Sequence, residues 1–439
     1  MRSLLGIAAC FAIVGCDSEG VVRPAQVGVR IVNTAASYGP VTVRRERTTL
    51  ASLQYSGGLA TSFDSGPYEF SLVYTPVLTG IPVQPVVTTQ DLSPSNDYAF
   101  IVVAPDDVLD LLIVTLDDSS VADSVIRISI THAHPGLDAL DVYLAPAGSD
   151  LSLLVPNATI SYGPVSDSFE VAPGTPHMFI TPANTPGTIL FESADLNAPG
   201  GTGLDYVVAE NGDVGFSPLE VFNITGTAQR VFRADIGAEL RVFQGIDDRT
   251  DRDVLINDSI TPLVSPAEFS VLSADEAISA GAGTVNITPV AVPGTIEATE
   301  DYIAAQGRNY LAVVAGDTTN GVEIVVGIED RRHIVDQGTL NIVNAAGLFD
   351  AVDFYLLPPG TDPTTAAPSL AAMTAPAFVN RIGVAPSDYE ITVIDSTTST
   401  VLAGPEPISI ESGGLYGIAF SNSAGGSTID LSYFYDLAP

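Results

Sequence analysis

Lysine and tryptophan are absent from this 439-residue chain, and cysteine occurs only at Cys10 and Cys16. The sixteen basic residues are all arginines and stand against 52 acidic residues, so the formal net charge is −36 at pH 7. A chain so poor in positive charge lacks the basic face with which proteins bind nucleic acid or anionic lipid. Two cysteines near the N-terminus provide no disulfide framework for the rest of the chain. Burial of apolar side chains must therefore hold the fold together.

Long apolar runs and familiar catalytic motifs are also missing. After the first few residues, no stretch is apolar and uncharged for long enough to cross a bilayer. The chain has four histidines and contains neither HExxH nor G-x-S-x-G. A triad assembled in space around His132, His177 or His333 stays open, as does a pair of carboxylates like that of glycosidases. The sequence leaves enzymatic activity undecided and favours a non-catalytic protein.

The N-terminal segment has the features of an export signal. Arg2 precedes an apolar run, Leu4–Val14, that is too short for a permanent membrane-spanning helix. The run leads into Val14-Gly15-Cys16, which resembles the lipobox of bacterial lipoproteins, where cleavage precedes a cysteine that is then acylated. The resemblance implies that Cys16 is lipidated and anchors a periplasmic or surface protein in the cell envelope, with inner and outer membrane both open. An ordinary signal peptide with an incidental cysteine is the alternative.

One pattern occurs four times: an apolar strand ends in a polar residue, and a second short strand begins nine residues later. The polar residues of successive copies lie roughly 100 residues apart, the length of one small domain. The residue pairs that frame the copies are Asn33 and Thr42, His132 and Asp141, Gln244 and Asp253, and Asn344 and Asp353. Each copy closes with a tyrosine-centred strand, at Tyr98, Tyr206, Tyr310 and Tyr416. The chain is therefore predicted to contain four related domains.

The composition between these landmarks is typical of strands. The 39 glycines and 31 prolines indicate many turns, and Val, Ile, Thr, Tyr and Phe dominate the segments between them. We predict an all-β fold, a tandem array of four small β-sandwich (Ig-like) domains. The predicted ranges are 1–15 for the signal peptide, 16–26 for the lipidated cysteine and tether, and 27–120, 121–229, 230–335 and 336–439 for the sandwiches. Polar or charged residues interrupt the strands near Asp117–Ser124, Gly226–Arg230 and Asp330–Gly338, and we expect the domain boundaries there.

The second copy carries a family resemblance. Its run Ile126–Leu144 combines an apolar strand, His132-Ala133, Pro135 and Leu140-Asp141-Val142-Tyr143, and a Val171-Ala172-Pro173-Gly174 turn follows. These motifs resemble the DUF4397 domain, whose members occur in bacterial envelope and secreted proteins, frequently in tandem. The fourth copy matches as well, whereas Thr42 in the first copy and Gln244 and Leu255 in the third depart from the family pattern. The family has no assigned activity, so the resemblance implies a domain type and no mechanism.

Polar residues of the repeated loops are the first candidates for chemistry. His132 and His134 would share one face of a continuing strand, as zinc ligands do, but Pro135 ends the strand there. The matching residue is Asn or Gln in the other copies, which indicates a side chain that hydrogen-bonds the loop backbone. The predicted structural loop positions are Asn33, His132, Asp141, Gln244, Asp253, Asn344 and Asp353.

Acidic loops are the second group of candidates. The calcium candidates are Asp117, Asp118, Asp247, Asp251 and Asp253, because calcium prefers several carboxylate and carbonyl oxygens. None of these loops has the spacing of an EF-hand, and Arg249 and Arg252 lie among the last three aspartates. We expect solvated acidic loops and no cofactor, with calcium binding as the alternative.

Repetition with variable loops favours display over catalysis. The sequence predicts a non-catalytic cell-envelope lipoprotein that presents β-sandwich modules for binding or spacing. The expected partners are the membrane, through the lipid anchor, and an envelope polysaccharide, peptidoglycan or an envelope protein. The alternative is a hydrolase that acts on an envelope polymer through carboxylates, which would need a deep pocket with converging acids in one unit.

Overall fold

A computed structural model describes residues 25–164, 166–174, 176–196, 198–212, 218–234, 236–292, 294–317 and 321–437. The predicted signal peptide, Cys16 and nearly all of the predicted tether lie outside the described residues. In the described ranges, no helix is long and apolar enough to span a membrane. The helical segments there are three short 3₁₀ turns at Pro105–Asp107, Leu151–Leu153 and Pro363–Thr365.

The strands fall into four successive groups, which we call units 1 to 4. Unit 1 contains β1 (Gln26–Asn33), β2 (Val41–Arg45), β3 (Thr48–Leu53), β4 (Gly58–Asp64), β5 (Gly66–Tyr74), β6 (Val83–Leu92), β7 (Asp97–Val103) and β8 (Asp110–Leu116). Unit 2 contains β9 (Ile126–His132), β10 (Leu140–Ala145), β11 (Ala158–Ile160), β12 (Ser166–Val171), β13 (His177–Pro182), β14 (Phe191–Glu192), β15 (Thr202–Glu210), β16 (Leu219–Asn223) and β17 (Gln229–Arg230).

The second half of the chain repeats this order. Unit 3 contains β18 (Ala238–Ile246), β19 (Arg252–Ile256), β20 (Val264–Ala267), β21 (Glu276–Ile278), β22 (Gly281–Pro289), β23 (Ala298–Ala304), β24 (Asn309–Asp317) and β25 (Gly321–Glu329). Unit 4 contains β26 (Gly338–Asn344), β27 (Val352–Leu357), β28 (Leu370–Met373), β29 (Ala377–Val384), β30 (Ser387–Asp395), β31 (Val401–Ile410), β32 (Leu415–Asn422) and β33 (Ile429–Leu437).

All four units share one topology. In unit 1 the sheets have the orders β4-β1-β7-β8 and β3-β2-β5-β6, and the strands of the other units pair in the corresponding orders, with β17 as an added edge strand in unit 2. The first and seventh strands of each unit pair in parallel, as in β1 with β7, and the other strand pairings are antiparallel. Two such sheets around one core form a β-sandwich. The predicted fold class, all-β with four sandwiches, is confirmed.

Each sandwich core follows from alternation along its strands. In β1 the inward residues Val27, Val29 and Ile31 are buried, and they pack with Phe70 of the second sheet and Phe100 of the first. Side chains two residues apart point to the same face of a strand, so the sequence pattern fixes which residues enter this core.

The outer faces of the first sheets are buried too, because the units pack in pairs. Ile101 of β7 contacts an apolar cluster that includes Val207 and Phe222 of unit 2. In the same way, Phe243 of unit 3 lies in a cluster with Val343 of unit 4. This packing explains why the central strands read as unbroken apolar runs, a pattern typical of strands that are buried on both faces.

The segment between units 3 and 4 is buried against unit 1. Ile334 is 2% exposed, the Val335 amide donates to the Ser37 carbonyl at 2.9 Å, and Arg332 donates to the Ala36 carbonyl at 3.3 Å. The sequence places a domain boundary near Asp330–Gly338, which lies between the end of β25 and the beginning of β26. It does not show that the chain returns to unit 1 here and packs on it.

Candidate functional site

Four matching side chains hold the loops that follow the first strand of each unit. Asn33 donates to the Leu53 carbonyl and accepts from the Ala35 amide, at 2.9 and 3.1 Å. Asn344 repeats this arrangement with the Met373 carbonyl and the Ala346 amide. His132 and Gln244 also accept from the amide two residues later, but their other bond is to a carbonyl of their own loop, that of Asp138 or Thr250. All four side chains are buried. Their chemistry is therefore used inside the fold, where a donor and an acceptor bridge two backbone segments.

The aspartates that begin the second strand also bond to loop groups. Asp141 accepts from the Thr159 hydroxyl and from the Asn184 amide, at 2.6 and 2.7 Å. Asp253 accepts from Ser265 and Ala291, and Asp353 accepts from Ala372 and Ser396. A carboxylate that accepts two such bonds holds its loop in place, since a polar group left there without a partner would destabilise the fold.

Tyr98, Tyr310 and Tyr416 tie the closing strands of units 1, 3 and 4 to the preceding turns. The Tyr98 hydroxyl accepts from the Ser93 amide at 3.1 Å, and the Tyr310 hydroxyl accepts from the Ala305 amide at 2.8 Å. Tyr416 accepts from the Glu411 amide in the same way. This geometry is that of a tyrosine corner. Burial, reinforced by the charge of Asp205, raises the pKa of Tyr206 to about 12.

The histidines do not converge on one centre. The Nδ1 atoms of His132 and His134 accept from backbone amides at 3.2 and 3.1 Å, and their Nε2 atoms bond to backbone carbonyls. Burial lowers the pKa of both rings, and the backbone hydrogen bonds only partly oppose it. His177 bonds to Glu192 and Asp195, and His333 bonds to the Gly413 carbonyl. In the described ranges, none of these rings pairs with a serine hydroxyl as a catalytic base would.

The acidic loop residues are not brought together either. Asp247 accepts from Asn422 of unit 4, Asp253 caps its own loop, and Asp251 is exposed. Asp117 bonds to Arg127 at 3.0 Å, and Asp118 is exposed. Across the described part of the chain, no group of three or more His, Cys, Asp or Glu side chains is arranged to hold a metal ion.

A cleft between units 1, 3 and 4 gathers an unusual set of side chains. Its volume is about 560 Å³, and it is lined by Gln54 and Tyr55 of unit 1, Arg308, Ile328 and Glu329 of unit 3, Asp330 and Arg332 of the linking segment, and Asn380 and Arg381 of unit 4. We call it the junction cleft. Three of its nine lining residues are arginines, in a chain with a net charge of −36.

Local contacts set the positions of Arg332 and Arg381 in the lining of the cleft. Arg332 is held over the Tyr55 ring, with its guanidinium carbon 4.7 Å from the ring centroid. In unit 4 the pairing of β26 with β29 shifts register, so that Asn380 and Arg381 together oppose Asn341. Such a β-bulge redirects the side chains of the bulged strand. The Arg381 amide donates to Asn341 at 2.9 Å, and Arg381 has a φ of 60°.

Ion pairs surround the acids of the cleft. Asp330 accepts from Arg332 at 2.9 Å and from Arg381 at 2.7 Å. Burial favours a higher pKa for Asp330, but the hydrogen bond from Arg332 and the charges of Arg332 and Arg381 outweigh it, so the pKa is lowered. Glu329, whose side chain is fully buried, accepts from Arg241 at 2.5 Å and from Arg331 at 2.8 Å. Each acid is therefore paired with two arginines.

Sequence reasoning missed the junction cleft. Its arginines lie at positions 308, 332 and 381, with no motif in common. The one available signal was the Arg331-Arg332 pair inside the predicted boundary segment, since arginines are scarce in this chain.

Comparison with known proteins gives no family. No family model matches the chain, and no curated protein matches it. Among solved structures, the TIE protein of Bacillus anthracis is 12% identical at a TM-score of 0.17, over 91% of this chain and 68% of that one. A candidate adhesin from Bacteroides ovatus is also 12% identical, at a TM-score of 0.16, over 48% of this chain and 96% of that one. Likeness at these scores carries no argument about function.

Proposed function

We propose that the protein is a non-catalytic, lipid-anchored protein of the bacterial cell envelope that presents a rigid binding surface built from four β-sandwiches. The observation that carries this proposal is the internal use of the repeated loop side chains. Asn33, His132, Gln244 and Asn344 are of three residue types, yet each accepts from the amide two residues later and bonds to one further backbone carbonyl. Variation among the repeats thus serves loop stability, which suits a structural module more than a set of active sites.

The packing of the units supports a rigid body over a string of independent modules. Units 1 and 2 share a buried apolar cluster, as do units 3 and 4, and the segment around Arg332 joins the two halves. A body of this kind holds residues from different units in fixed positions, so a ligand that contacts several units needs little reorganisation of the protein.

Membrane attachment and partner capture together test the proposal. Cys16→Ala should abolish labelling by a palmitate analogue and release the protein from membranes, because more than one acyl chain is needed for durable anchoring. The chain from Asp17 onward, immobilised and incubated with detergent-solubilised envelopes, should then retain a glycan or protein that a matched heat-denatured sample does not. Unchanged labelling, or equal material on both resins, would contradict the proposal.

A further inference from the structure

We propose that the junction cleft binds an acidic, hydroxylated ligand of the class of oligosaccharides that carry carboxylates. This inference rests on the proposed binding function and names the site and the kind of ligand. It concerns a surface that exists only where units 1, 3 and 4 meet.

Charge is the first argument for an anionic ligand. The lining of the cleft contains three arginines, Arg308, Arg332 and Arg381, and two carboxylates, those of Glu329 and Asp330. The planar guanidinium group matches a carboxylate or phosphate with two parallel hydrogen bonds, and arginine is typical of sites that recognise such anions. Over most of the remaining surface the excess of acidic residues would repel the same ligand.

The pairing of the cleft acids is the second argument. Arg241 and Arg331 bind Glu329, so that its charge is compensated from behind the cleft wall. Asp330 accepts hydrogen bonds from Arg332 and Arg381, which fixes the orientation of both guanidinium groups. An arginine has five N–H donors, and a carboxylate that binds one edge leaves the orientation of the whole group fixed. Preorganised donors of this kind reduce the cost of binding an anion.

The rest of the lining favours a hydroxylated molecule. The amide side chains of Gln54 and Asn380 offer donors and acceptors of the kind that bind hydroxyl groups, whereas the apolar contribution comes mainly from Tyr55 and Ile328. A volume of about 560 Å³ is large for an inorganic anion. It lies within the usual range for small-molecule pockets, about 300–1000 Å³. A short acidic sugar combines the required size, charge and hydroxyl groups.

Calorimetric titration of the purified full chain tests the ligand class. We expect heat of binding with trigalacturonate, none with maltotriose, a neutral sugar of the same length, and a weaker affinity as sodium chloride is raised. The absence of binding by trigalacturonate, or equal binding of maltotriose, would overturn the inference. Inorganic phosphate is the third probe, and binding as tight as that of trigalacturonate would replace the sugar with a simple anion site.

Two substitutions locate the site. Gln54 is exposed at the cleft rim, so Gln54→Glu should leave the fold intact and weaken trigalacturonate binding about fivefold or more through one added repulsive charge. Gln84→Glu adds the same charge on the exposed strand β6, outside the cleft, and should change nothing. Arg381→Gln should weaken binding too, and its melting curve will show whether loss of the bond to Asp330 disturbs the fold. Equal affinities of the Gln54 and Gln84 variants would refute the assignment.

Envelope capture separates this inference from the proposed function. If Gln54→Glu loses trigalacturonate binding but retains as much envelope material as the unchanged protein, the cleft is not the envelope-binding site and the inference fails. If the unchanged protein captures nothing from envelopes, the proposed function fails, whatever the titrations show.

Discussion

At the scale of single residues, one structural task is met by three different amino acids. Each of these side chains accepts from the amide two residues later and bonds to a backbone carbonyl. That carbonyl lies on the third strand for Asn33 and Asn344, and in the same loop for His132 and Gln244. The imidazole ring achieves this because its two nitrogens take opposite roles in the neutral form. Histidine differs from the amides in one respect: it can become charged.

That difference predicts a pH dependence of stability. Burial lowers the pKa of His132 in the folded protein, whereas the unfolded chain binds a proton near the ordinary value of about 6.5. The free energy of unfolding should therefore fall as the pH decreases from about 6.5 towards the lowered pKa of the folded state. His132→Asn should remove part of this loss between pH 7.5 and pH 5.5, as measured by urea denaturation, and His134, with its pKa lowered by the same cause, should retain the rest.

The reciprocal change is a matched control. Asn344→His places the ring in the equivalent buried position of unit 4 and should introduce a similar loss of stability at acidic pH. If neither substitution changes the pH dependence, the buried rings are not its source.

At the scale of elements, the central strands of the first sheets have two buried faces. In β7, Tyr98, Phe100 and Val102 enter the core of unit 1, while Ala99 and Ile101 lie in the cluster shared with unit 2. The sequence therefore shows a continuous apolar run, whereas a half-buried strand would alternate apolar and polar residues. That run indicates a covered outer face, although it does not identify the covering element.

The shared clusters should contribute much of the stability. Phe243 is fully buried between units 3 and 4, so Phe243→Ala should lower the free energy of unfolding by about 3–5 kcal/mol, the usual cost of removing a buried phenylalanine ring. Phe232→Ala makes the same chemical change at a ring that is 60% exposed, and a much smaller loss is expected there. Urea denaturation of the two variants should show this order, and equal losses would argue against a tightly packed contact between the units.

At the scale of the whole molecule, the two pairs of units are joined by segments with different exposure. Asp117–Ser124, between units 1 and 2, is largely exposed. In the segment between units 3 and 4, Arg331 and Arg332 are 4% exposed and bond to Asp275 and Asp330. The two boundary segments expected from the sequence thus differ in their exposure to solvent in the folded protein.

Limited proteolysis should reveal this difference in exposure. A protease of broad specificity should cut Asp117–Ser124 before Asp330–Gly338, because cleavage requires an exposed segment that can leave the fold locally. Mass spectrometry of the first fragments identifies the cuts. Removal of the contact with Tyr55, by Tyr55→Ala, should speed cleavage in the second segment. First cleavage at Asp330–Gly338 in the unchanged protein would contradict the observed packing.

The sequence by itself determined the class of fold and its repetition. Alternating apolar residues, turn residues and matched landmarks such as Tyr98 and Tyr310 act over short distances, so they can be recognised without knowledge of the partner strands. The role of Asn33 and His132 in their loops also followed from comparing the copies, since only a shared hydrogen-bonding task explains that exchange.

Only the tertiary structure decided how the units meet and where a ligand could bind. Arg308 belongs to unit 3, Arg332 to the segment between units 3 and 4, and Arg381 to unit 4. Their approach depends on apolar clusters, a β-bulge and the return of the chain to unit 1. These contacts join residues that are distant in the sequence and follow no local period, whereas sequence patterns report local geometry and the burial of single faces. Local patterns thus define each sandwich separately, and packing between the sandwiches creates the junction cleft.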